Sequence, residues 1–310
     1  MNHLKYISLF IILFTFSAYG ADVCGRTEAV KIALEKSTAK TCDQITSTDL
    51  ALVTSLNLYK KGIRELKKDD FQGLSSVEWI SLDDNELTTL PDGIFQGLTS
   101  LQDIGLFRND IQHLPEGVFQ GLSSLTELDL DVNNLTTLPK GIFQGLTSLE
   151  YLLLSQNEFP TLPEGTFNGL ASLKVLTLDY NQLTSLPEGV FQGLASLQEL
   201  TLYENKLNNL PQGIFKGFSS LRWLALDSNQ ISHLPDGIFK DLSSIELLEL
   251  QENQISNISE QVFNTFPTNA YLLFWENPVS IDAKALLQSQ LGSYVIFEDA
   301  KSSKKNRGGF

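Results

Sequence analysis

The amino-acid sequence predicts an α/β-type solenoid, a horseshoe in which every repeat contributes one short strand to a parallel sheet and small helices cap the ends. A 24-residue unit recurs without insertion through nine full copies, residues 50–265, and a fixed period of this length is the signature of a repeat architecture. The chain has 310 residues, more than the roughly 250–300 that one hydrophobic core usually organises. Its 42% hydrophobic and 19% charged residues are typical of a folded protein.

Three columns of identical residues fix the register of the copies. An asparagine recurs at Asn85, Asn109, Asn133, Asn157, Asn181, Asn205, Asn229, Asn253 and Asn277. A phenylalanine recurs at Phe71, Phe95, Phe119, Phe143, Phe167, Phe191, Phe215, Phe239 and Phe263. A Leu-Pro step places a proline at Pro91, Pro115, Pro139, Pro163, Pro187, Pro211 and Pro235. Repetition this regular indicates stacked copies of one supersecondary unit.

Each copy contains a short alternation of apolar and polar residues. In the fourth copy Leu128 and Leu130 alternate with acidic residues at 127, 129 and 131, which is the period of a half-buried strand. The copies are therefore expected to stack as parallel strands about 4.8 Å apart, with the leucines in the core. Only the leucine and asparagine positions are expected to be dictated by packing, whereas the positions between them are expected to be free.

The two other columns have expected structural roles. Each asparagine should lie where the chain turns after the strand, with its amide bonding buried backbone groups of the turn and of the next copy. The phenylalanines should fill the core beneath the convex side. Proline and glycine on that side favour extended and turn geometry over long helices.

The unit resembles the leucine-rich repeat, whose pattern L-x-x-L-x-L-x-x-N-x-L is matched at 125–135 by LTELDLDVNNL. The resemblance covers residues 50 to about 280 and implies a curved solenoid. The Leu-Pro-x-Gly-x-Phe-x-x-Leu half of the unit is similar to repeats of extracellular leucine-rich proteins, including the variable lymphocyte receptors of jawless fish, which carry cysteine-rich caps at both ends. This chain has cysteines near its N-terminus only, and so more closely resembles secreted bacterial leucine-rich repeat proteins.

The predicted N-terminal cap is residues 21–49, because a solenoid otherwise exposes its apolar core at each end. Residues 27–36 read as an amphipathic helix that lies between Cys24 and Cys42. An even cysteine count in an exported chain favours a disulfide between these two, and two free thiols are the alternative. The first copy is atypical, with Lys61 at the asparagine position.

The C-terminal end is predicted to hold a degenerate repeat and a cap, residues 266–300. Within it, residues 281–291 read as a capping helix with Asp282 near its start. Residues 301–310 form a basic tail that is expected to be disordered.

Residues 1–20 read as a secretory signal peptide. Lys5 supplies the positive charge, an apolar run follows, and small residues at 18 and 20 predict cleavage near Gly20. An uncleaved membrane anchor is the alternative, but the apolar run falls short of the roughly 20 residues that a spanning helix needs. The protein is therefore expected to be secreted, or else periplasmic or on the cell surface, without a membrane span.

The charge of the chain excludes two classes of partner. The formal net charge is -15, and residues 21–300 carry all 37 acidic residues but only 17 of the 22 basic ones. Such a body repels phosphate backbones and anionic lipid, so nucleic-acid binding is excluded, and lipid association is disfavoured except through the basic tail.

No enzyme motif is present. His113 and His233 are five copies apart, roughly 24 Å at strand spacing, so they cannot share a site. Pairs of strand carboxylates are a glycosidase alternative, but a repeating surface column explains them better. Asp83, Asp84 and the 129/131 pair could offer oxygen ligands to calcium, but no known loop pattern supports this. The sequence therefore predicts no enzyme, no cofactor and no metal site.

The variable strand positions carry the functional signal. They hold sixteen acidic and four basic residues, interleaved with aromatic residues, on the predicted concave face of the sheet. Aromatic anchors within a charged field are typical of recognition surfaces. The candidate partner-binding residues are Trp79, Asp83, Asp103, Phe107, Glu127, Asp131, Tyr151, Asp179, Tyr203, Trp223 and Asp227.

Two functions fit this face. The first is binding or adhesion to a protein with a basic surface, by a protein that acts as a monomer. The second is stacking of a carbohydrate or cell-envelope polymer on Trp79, Tyr151 and Trp223. An aspartate also recurs in every second copy, at 83, 131, 179 and 227, and duplication of a two-repeat unit explains this at least as well as a ligand does.

Overall fold

The computed structural model describes residues 22–297, and these form the parallel solenoid that the sequence predicts. The signal peptide predicted at residues 1–20 and the tail 301–310, which is expected to be disordered, lie outside the described residues. Eleven short strands follow one another along the chain: β1 Ser55–Asn57, β2 Trp79–Ser81, β3 Asp103–Gly105, β4 Glu127–Asp129, β5 Tyr151–Leu153, β6 Val175–Thr177, β7 Glu199–Thr201, β8 Trp223–Ala225, β9 Leu247–Glu249, β10 Tyr271–Leu273 and β11 Val295–Ile296. They form one sheet in sequence order, and every pair is parallel.

The register of the sheet follows the sequence repeat. Leu128 of β4 lies opposite Ile104 of β3 and Leu152 of β5, each 24 residues away. Equivalent residues of successive copies therefore stand side by side, and each copy packs on its two neighbours. A column in the sequence becomes a column on the sheet.

Helices occur only at the two ends of the described chain. They are α1 Glu28–Thr38, α2 Ser47–Leu50 and α3 Ile281–Leu291, with one 3-10 turn at Gly292–Tyr294. The helix predicted at 27–36 is α1, which begins one residue later because Thr27 is its N-cap. It ends two residues later, where Ala39 adopts the left-handed conformation with φ 54°. None of the helices within residues 22–297 has the length and apolar character that crossing a bilayer requires.

The N-terminal cap is fastened to the first copy by contacts that the sequence analysis did not predict. The buried Arg26 guanidinium donates hydrogen bonds to the backbone carbonyls of Asp70, at 2.7 Å, and Gln72, at 2.6 Å. The buried Asp70 carboxylate accepts from the backbone N–H and the hydroxyl of Thr27, at 2.7 Å and 2.6 Å. These charge-assisted bonds hold the cap against the open end of the core.

The phenylalanine column fills the core, as expected. Phe167 is fully buried, and its ring centroid lies 6.2 Å from that of Phe143 and 6.0 Å from that of Phe191. Its interplanar angles with the two rings are 7° and 17°. The rings of Phe143, Phe167 and Phe191 thus stack one on another along the column, an arrangement that adds to the packing of the core.

The asparagine column binds each copy to the preceding one. The side-chain amide of Asn157 donates to the carbonyl of Leu130 at 2.9 Å, and its oxygen accepts from the backbone N–H of Leu135 at 3.0 Å. It also donates to the carbonyl of Leu154 in its own copy, at 3.2 Å. The expectation of bonds to the next copy is therefore wrong in direction. The turn after each strand directs the asparagine side chain toward the preceding copy. There its amide bonds a backbone carbonyl and a backbone N–H group.

Replacing Asn157 with alanine should lower the free energy of unfolding by about 1–3 kcal/mol, because buried backbone groups of two copies lose their partners. The measurement is the midpoint of urea unfolding. Asn209→Ala is the matched control, since Asn209 is exposed, and it should stay within about 0.5 kcal/mol of the parent protein. Equal midpoints for the two variants would contradict the role given to the asparagine column.

Candidate functional site

Three columns of side chains lie on the solvent side of the sheet. They are the first and third residues of each strand and the residue two positions beyond the strand, and together they are called the strand face here. In β4 these residues are Glu127, Asp129 and Asp131, which are half-buried, whereas Leu128 and Leu130 between them are buried. The alternation follows from the two-residue period of a strand.

All eleven candidate residues lie on the strand face, in its first and third columns. The first column holds Trp79, Asp103, Glu127, Tyr151 and Trp223. The third column holds Asp83, Phe107, Asp131, Asp179, Tyr203 and Asp227. Their exposure differs widely, since Tyr151 is 40% exposed and Asp179 only 6%. The second column adds Asp129 and Glu249, which were not among the candidates, although the same two-residue period places them there.

Two of the alternating aspartates, Asp83 and Asp131, accept hydrogen bonds from backbone N–H groups of the following copy. Asp83 accepts hydrogen bonds from the backbone N–H of Phe107 at 2.9 Å and from the hydroxyl of Ser81 at 2.7 Å. Asp131 accepts from the backbone N–H of Ser155. The expectation that packing leaves these positions free is therefore wrong for Asp83 and Asp131, because their carboxylates accept from backbone and hydroxyl donors that lie partly out of water.

Among the four alternating aspartates, Asp179 bonds to the copies on both sides of its own. Its carboxylate accepts from the hydroxyl of Ser155 at 2.7 Å and from that of Thr201. The Asp179 side chain thus joins three adjacent copies. It is buried, whereas Asp103 is only half-buried and can contact a partner.

The close approach of Asp83 also explains the glycine in β3. A β-carbon at Gly105 would overlap with the Asp83 carboxylate. A substitution at Gly105 would therefore displace the Asp83 carboxylate and disturb its bond to Phe107.

The carboxylates of β2 to β4 form a cluster with perturbed acidity. Burial raises the pKa of Asp103 and of Asp129 to about 6, and that of Asp131 to about 7. The negative charges of Glu127 and Asp83 raise the pKa of Asp103 and Asp129 further. No cation contributes to these shifts, and only hydrogen bonds from the backbone N–H groups of Asp131 and Ser155 and from the Thr177 hydroxyl oppose them.

Three of the four basic residues beside the strands form ion pairs, whereas the fourth, Arg108 on the turn after β3, is exposed and has no ion pair among the described residues. Within residues 22–297, the Lys174 ammonium lies 2.6 Å from the Glu150 carboxylate, and the Arg222 guanidinium lies 2.7 Å from that of Glu246. The ammonium of Lys60, on the turn that follows β1, lies 3.4 Å from the carboxylate of Asp84, on the turn that follows β2. The three pairs flank the strand face and do not include the half-buried carboxylates at its centre.

The acidity of the cluster predicts that the protein is more stable at about pH 5 than at about pH 7.5. A carboxyl group whose pKa is raised by folding holds its proton more tightly in the folded chain, so stability falls as pH rises between about 4 and 7. The expected difference in unfolding free energy between the two pH values is about 1–3 kcal/mol. It is smaller than the sum of the individual shifts, because the carboxyl groups titrate together and are partly solvated. Urea midpoints at the two pH values measure it.

Two variants sharpen this pH measurement. Asp131→Asn should reduce the pH dependence, since one of the shifted groups no longer titrates. Glu116→Gln, on an exposed turn away from the strand face, should keep the full dependence. A midpoint that is flat or rises with pH in the parent protein would show that the cluster is solvated like ordinary surface carboxylates.

The strand face near β8 is also ordered by hydrogen bonds. The indole N–H of the half-buried Trp223 donates to the Glu249 carboxylate at 2.9 Å. Burial, followed by the charge of Glu249, raises the pKa of Asp227 to about 7. Burial also raises the pKa of Tyr203, whose ring centroid lies 5.2 Å from that of Tyr180. Among the described residues, no three His, Cys, Asp or Glu side chains are arranged to hold a metal ion.

Comparison with known proteins identifies the repeat. The family model described as "Leucine rich repeat" matches overlapping segments at residues 51–111, 75–135, 108–159, 123–183, 159–207, 171–231, 196–255 and 219–272. No curated protein sequence matches the chain.

Solved structures share the fold. A chain in the Toll–Spatzle complex of Drosophila matches with a TM-score of 0.73 and 26% identity over 81% of this chain, which spans only 35% of that one. A leucine-rich repeat protein of Leptospira interrogans matches with a TM-score of 0.61 and 25% identity, over 80% of this chain and 73% of that one. An internalin of Listeria monocytogenes, 20% identical with a TM-score of 0.53, covers 93% of this chain and 95% of its own, and shows the fold alone.

Proposed function

The chain belongs to the leucine-rich repeat family, and from that premise we propose that it is an exported protein that binds a basic protein partner through its strand face. Proteins of this family are generally recognition scaffolds without enzymatic activity, commonly for protein–protein interaction, and no catalytic family is indicated for this chain. The proposed activity needs no cofactor, and the protein acts as a monomer.

The observation that carries the proposal is the cluster of half-buried carboxylates on β2 to β4, to whose raised pKa values no cation contributes. Asp103, Asp129 and Asp131 are half-buried and face like charges, so their ionised forms are destabilised in the free protein. A basic side chain placed over them would relieve this repulsion and favour the charged forms. The cluster is therefore a surface that gains more from a cationic partner than scattered surface acids would.

Aromatic side chains next to the cluster provide apolar contact. Phe107, two residues beyond β3, and Tyr151, the first residue of β5, are 36% and 40% exposed on either side of β4. Exposed aromatic residues of this size are frequent anchors in protein interfaces, whereas charges mainly set association rate and partner choice. The Toll–Spatzle structure is itself a complex, which supports protein recognition by a chain with this fold.

The proposed export rests on the N-terminal residues and the cysteines. Residues 1–20 have the composition of a secretory signal, and Cys24 is joined to Cys42 by a disulfide. Disulfides persist mainly in oxidising compartments outside the cytosol. The secreted, periplasmic and cell-surface locations all fit these two features.

The proposal is tested by capture of a partner from native extracellular fluid, followed by surface plasmon resonance at two salt concentrations. Asp103→Asn combined with Glu127→Gln should slow association and flatten its salt dependence. Trp223→Ala should mainly raise the dissociation rate. Asp103 and Glu127 serve here because Asp179 is buried and bonded, and its replacement would disturb the sheet.

Glu65→Ala is the control, since Glu65 is exposed outside the strand columns and should change neither rate. Unchanged rates in every strand-face variant would place the ligand elsewhere on the molecule. Saturable binding of a polysaccharide that salt does not weaken would instead favour the alternative function, in which Trp79, Tyr151 and Trp223 stack against sugar rings.

A further inference from the structure

The two ends of the strand face differ in chemistry. Toward the N-terminus, an acidic zone on β2 to β4 comprises Asp83, Asp103, Glu127, Asp129 and Asp131. At the C-terminal end, an apolar zone on β10 and β11, with the residue before β11, comprises Tyr271, Leu273, Tyr294 and Ile296. The apolar zone contains no charged side chain, and the acidic zone is made only of carboxylates, with the exposed Arg108 beside it on the turn after β3.

The apolar zone is open to solvent. Tyr271 is 51% exposed, and Tyr294 and Ile296 are 36% and 37% exposed. The rings of Tyr271 and Tyr294 pack edge to face, with their centroids 5.3 Å apart. A preformed aromatic pair of this kind presents apolar area at low entropic cost, because the rings are already ordered against each other.

Five strands, β5 to β9, lie between the two zones. The second column of the strand face there contains Leu153, Thr177, Thr201, Ala225 and Glu249. Thr201 and Ala225 are only 3% and 1% exposed, and the Glu249 carboxylate accepts the indole N–H of Trp223. Bulkier side chains, such as Trp223, lie in the first column. The strands β4 and β10 are six positions apart in the sheet, about 29 Å at ordinary strand spacing.

We propose that the partner binds as one extended polypeptide segment that runs across the strands, with basic residues over the acidic zone and apolar residues over the apolar zone. About nine extended residues cover the distance between the zones. This inference rests on the proposed function, and adds to it the chemistry of the partner and the direction in which it lies.

Binding by one segment would combine two contacts that are each weak. The acidic zone steers a basic segment but gives limited affinity on its own, because its charges are partly solvated. The apolar zone is small. When both contacts are made by one chain, the second forms at high effective concentration, so the linked segment should bind much more tightly than either part.

The test uses synthetic peptides with the purified protein and fluorescence anisotropy. One peptide joins four lysines to a leucine–phenylalanine cluster through a neutral linker of about nine residues. The second contains only the basic part, the third only the apolar part, and the fourth the same composition with basic and apolar residues intermixed. The linked peptide should bind at least about ten-fold more tightly than the other three.

Variants assign the two contacts. Tyr271→Ser should weaken the linked peptide about ten-fold or more and leave its salt dependence unchanged. Tyr59→Ser is the matched control, because Tyr59 is 49% exposed on the strand face at the opposite end and should have little effect. Asp103→Asn with Glu127→Gln should flatten the salt dependence, whereas Glu116→Gln with Glu188→Gln, on exposed turns, should not. A photo-crosslinker on the apolar end should label residues 271–296.

The outcomes separate this inference from the function on which it rests. If the basic peptide binds as tightly as the linked one, and the acidic variants still flatten its salt dependence, the two-zone inference fails and the proposed function stands. Equal binding of the intermixed peptide, or crosslinks outside 271–296, also overturns the inference. Failure of every peptide to bind the strand face contradicts both.

Discussion

Replacing Phe167 with alanine should lower the free energy of unfolding by about 3–5 kcal/mol, the range found for large aromatic deletions in protein cores. Phe167 is fully buried, and its ring stacks on those of Phe143 and Phe191. The truncation removes apolar contacts to both neighbouring copies at once. The rigid frame of the solenoid, pinned by the asparagine column, allows little collapse of the cavity.

Urea unfolding followed by circular dichroism measures the change. Phe107→Ala is the matched control, because Phe107 is 36% exposed on the strand face and should cost no more than about 1 kcal/mol. A loss at Phe167 no greater than that at Phe107 would mean that the stack contributes little beyond ordinary surface contact.

Removal of the disulfide should cost about 3 kcal/mol, with Cys24→Ser and Cys42→Ser combined in one variant. The bond closes a loop of 18 residues, and its loss frees the cap in the unfolded chain and weakens it in the folded one. Because the cap covers one end of the core, hydrogen exchange should increase first in α1 and β1 and only later in the central copies. The urea midpoint of oxidised protein against the double variant gives the magnitude.

Two controls accompany the disulfide variant. A reducing agent should lower the midpoint of the parent protein to that of the double variant, and should leave the double variant unchanged. Thiol labelling of native, unreduced protein should find no free cysteine, and labelling of both Cys24 and Cys42 would refute the bond.

The architecture could be predicted because the 24-residue period is written directly in the sequence. The strands, their parallel order and the core columns all follow from it, and α3 spans 281–291 as expected. The direction of the asparagine bonds did not follow, since a period shows which positions are equivalent and not which neighbour each side chain faces. The short helix α2 was missed, although Thr46 and Asp49 form a capping box that the sequence displays.

The candidate site could be predicted in position but not in detail. A two-residue period places Asp131 and Asp179 on the same face, and the structure has both there. The period does not show how deeply a side chain is buried. The burial of Asp179 and its bonds to Ser155 and Thr201 therefore became visible only in the structure. The apolar zone was equally hidden, because Tyr294 and Ile296 lie beyond the last regular copy and join the face through the pairing of β10 with β11.

The stepwise order of the sheet has a mechanical consequence. Each strand pairs only with the strand before it and the strand after it, so tension applied to the two ends would detach copies in succession rather than all together. Every copy that detaches would release its 24 residues, about 80 Å of extended chain. The protein would then behave as a tether that lengthens in uniform steps. The copies that are still folded would keep their structure and their contacts with a bound partner.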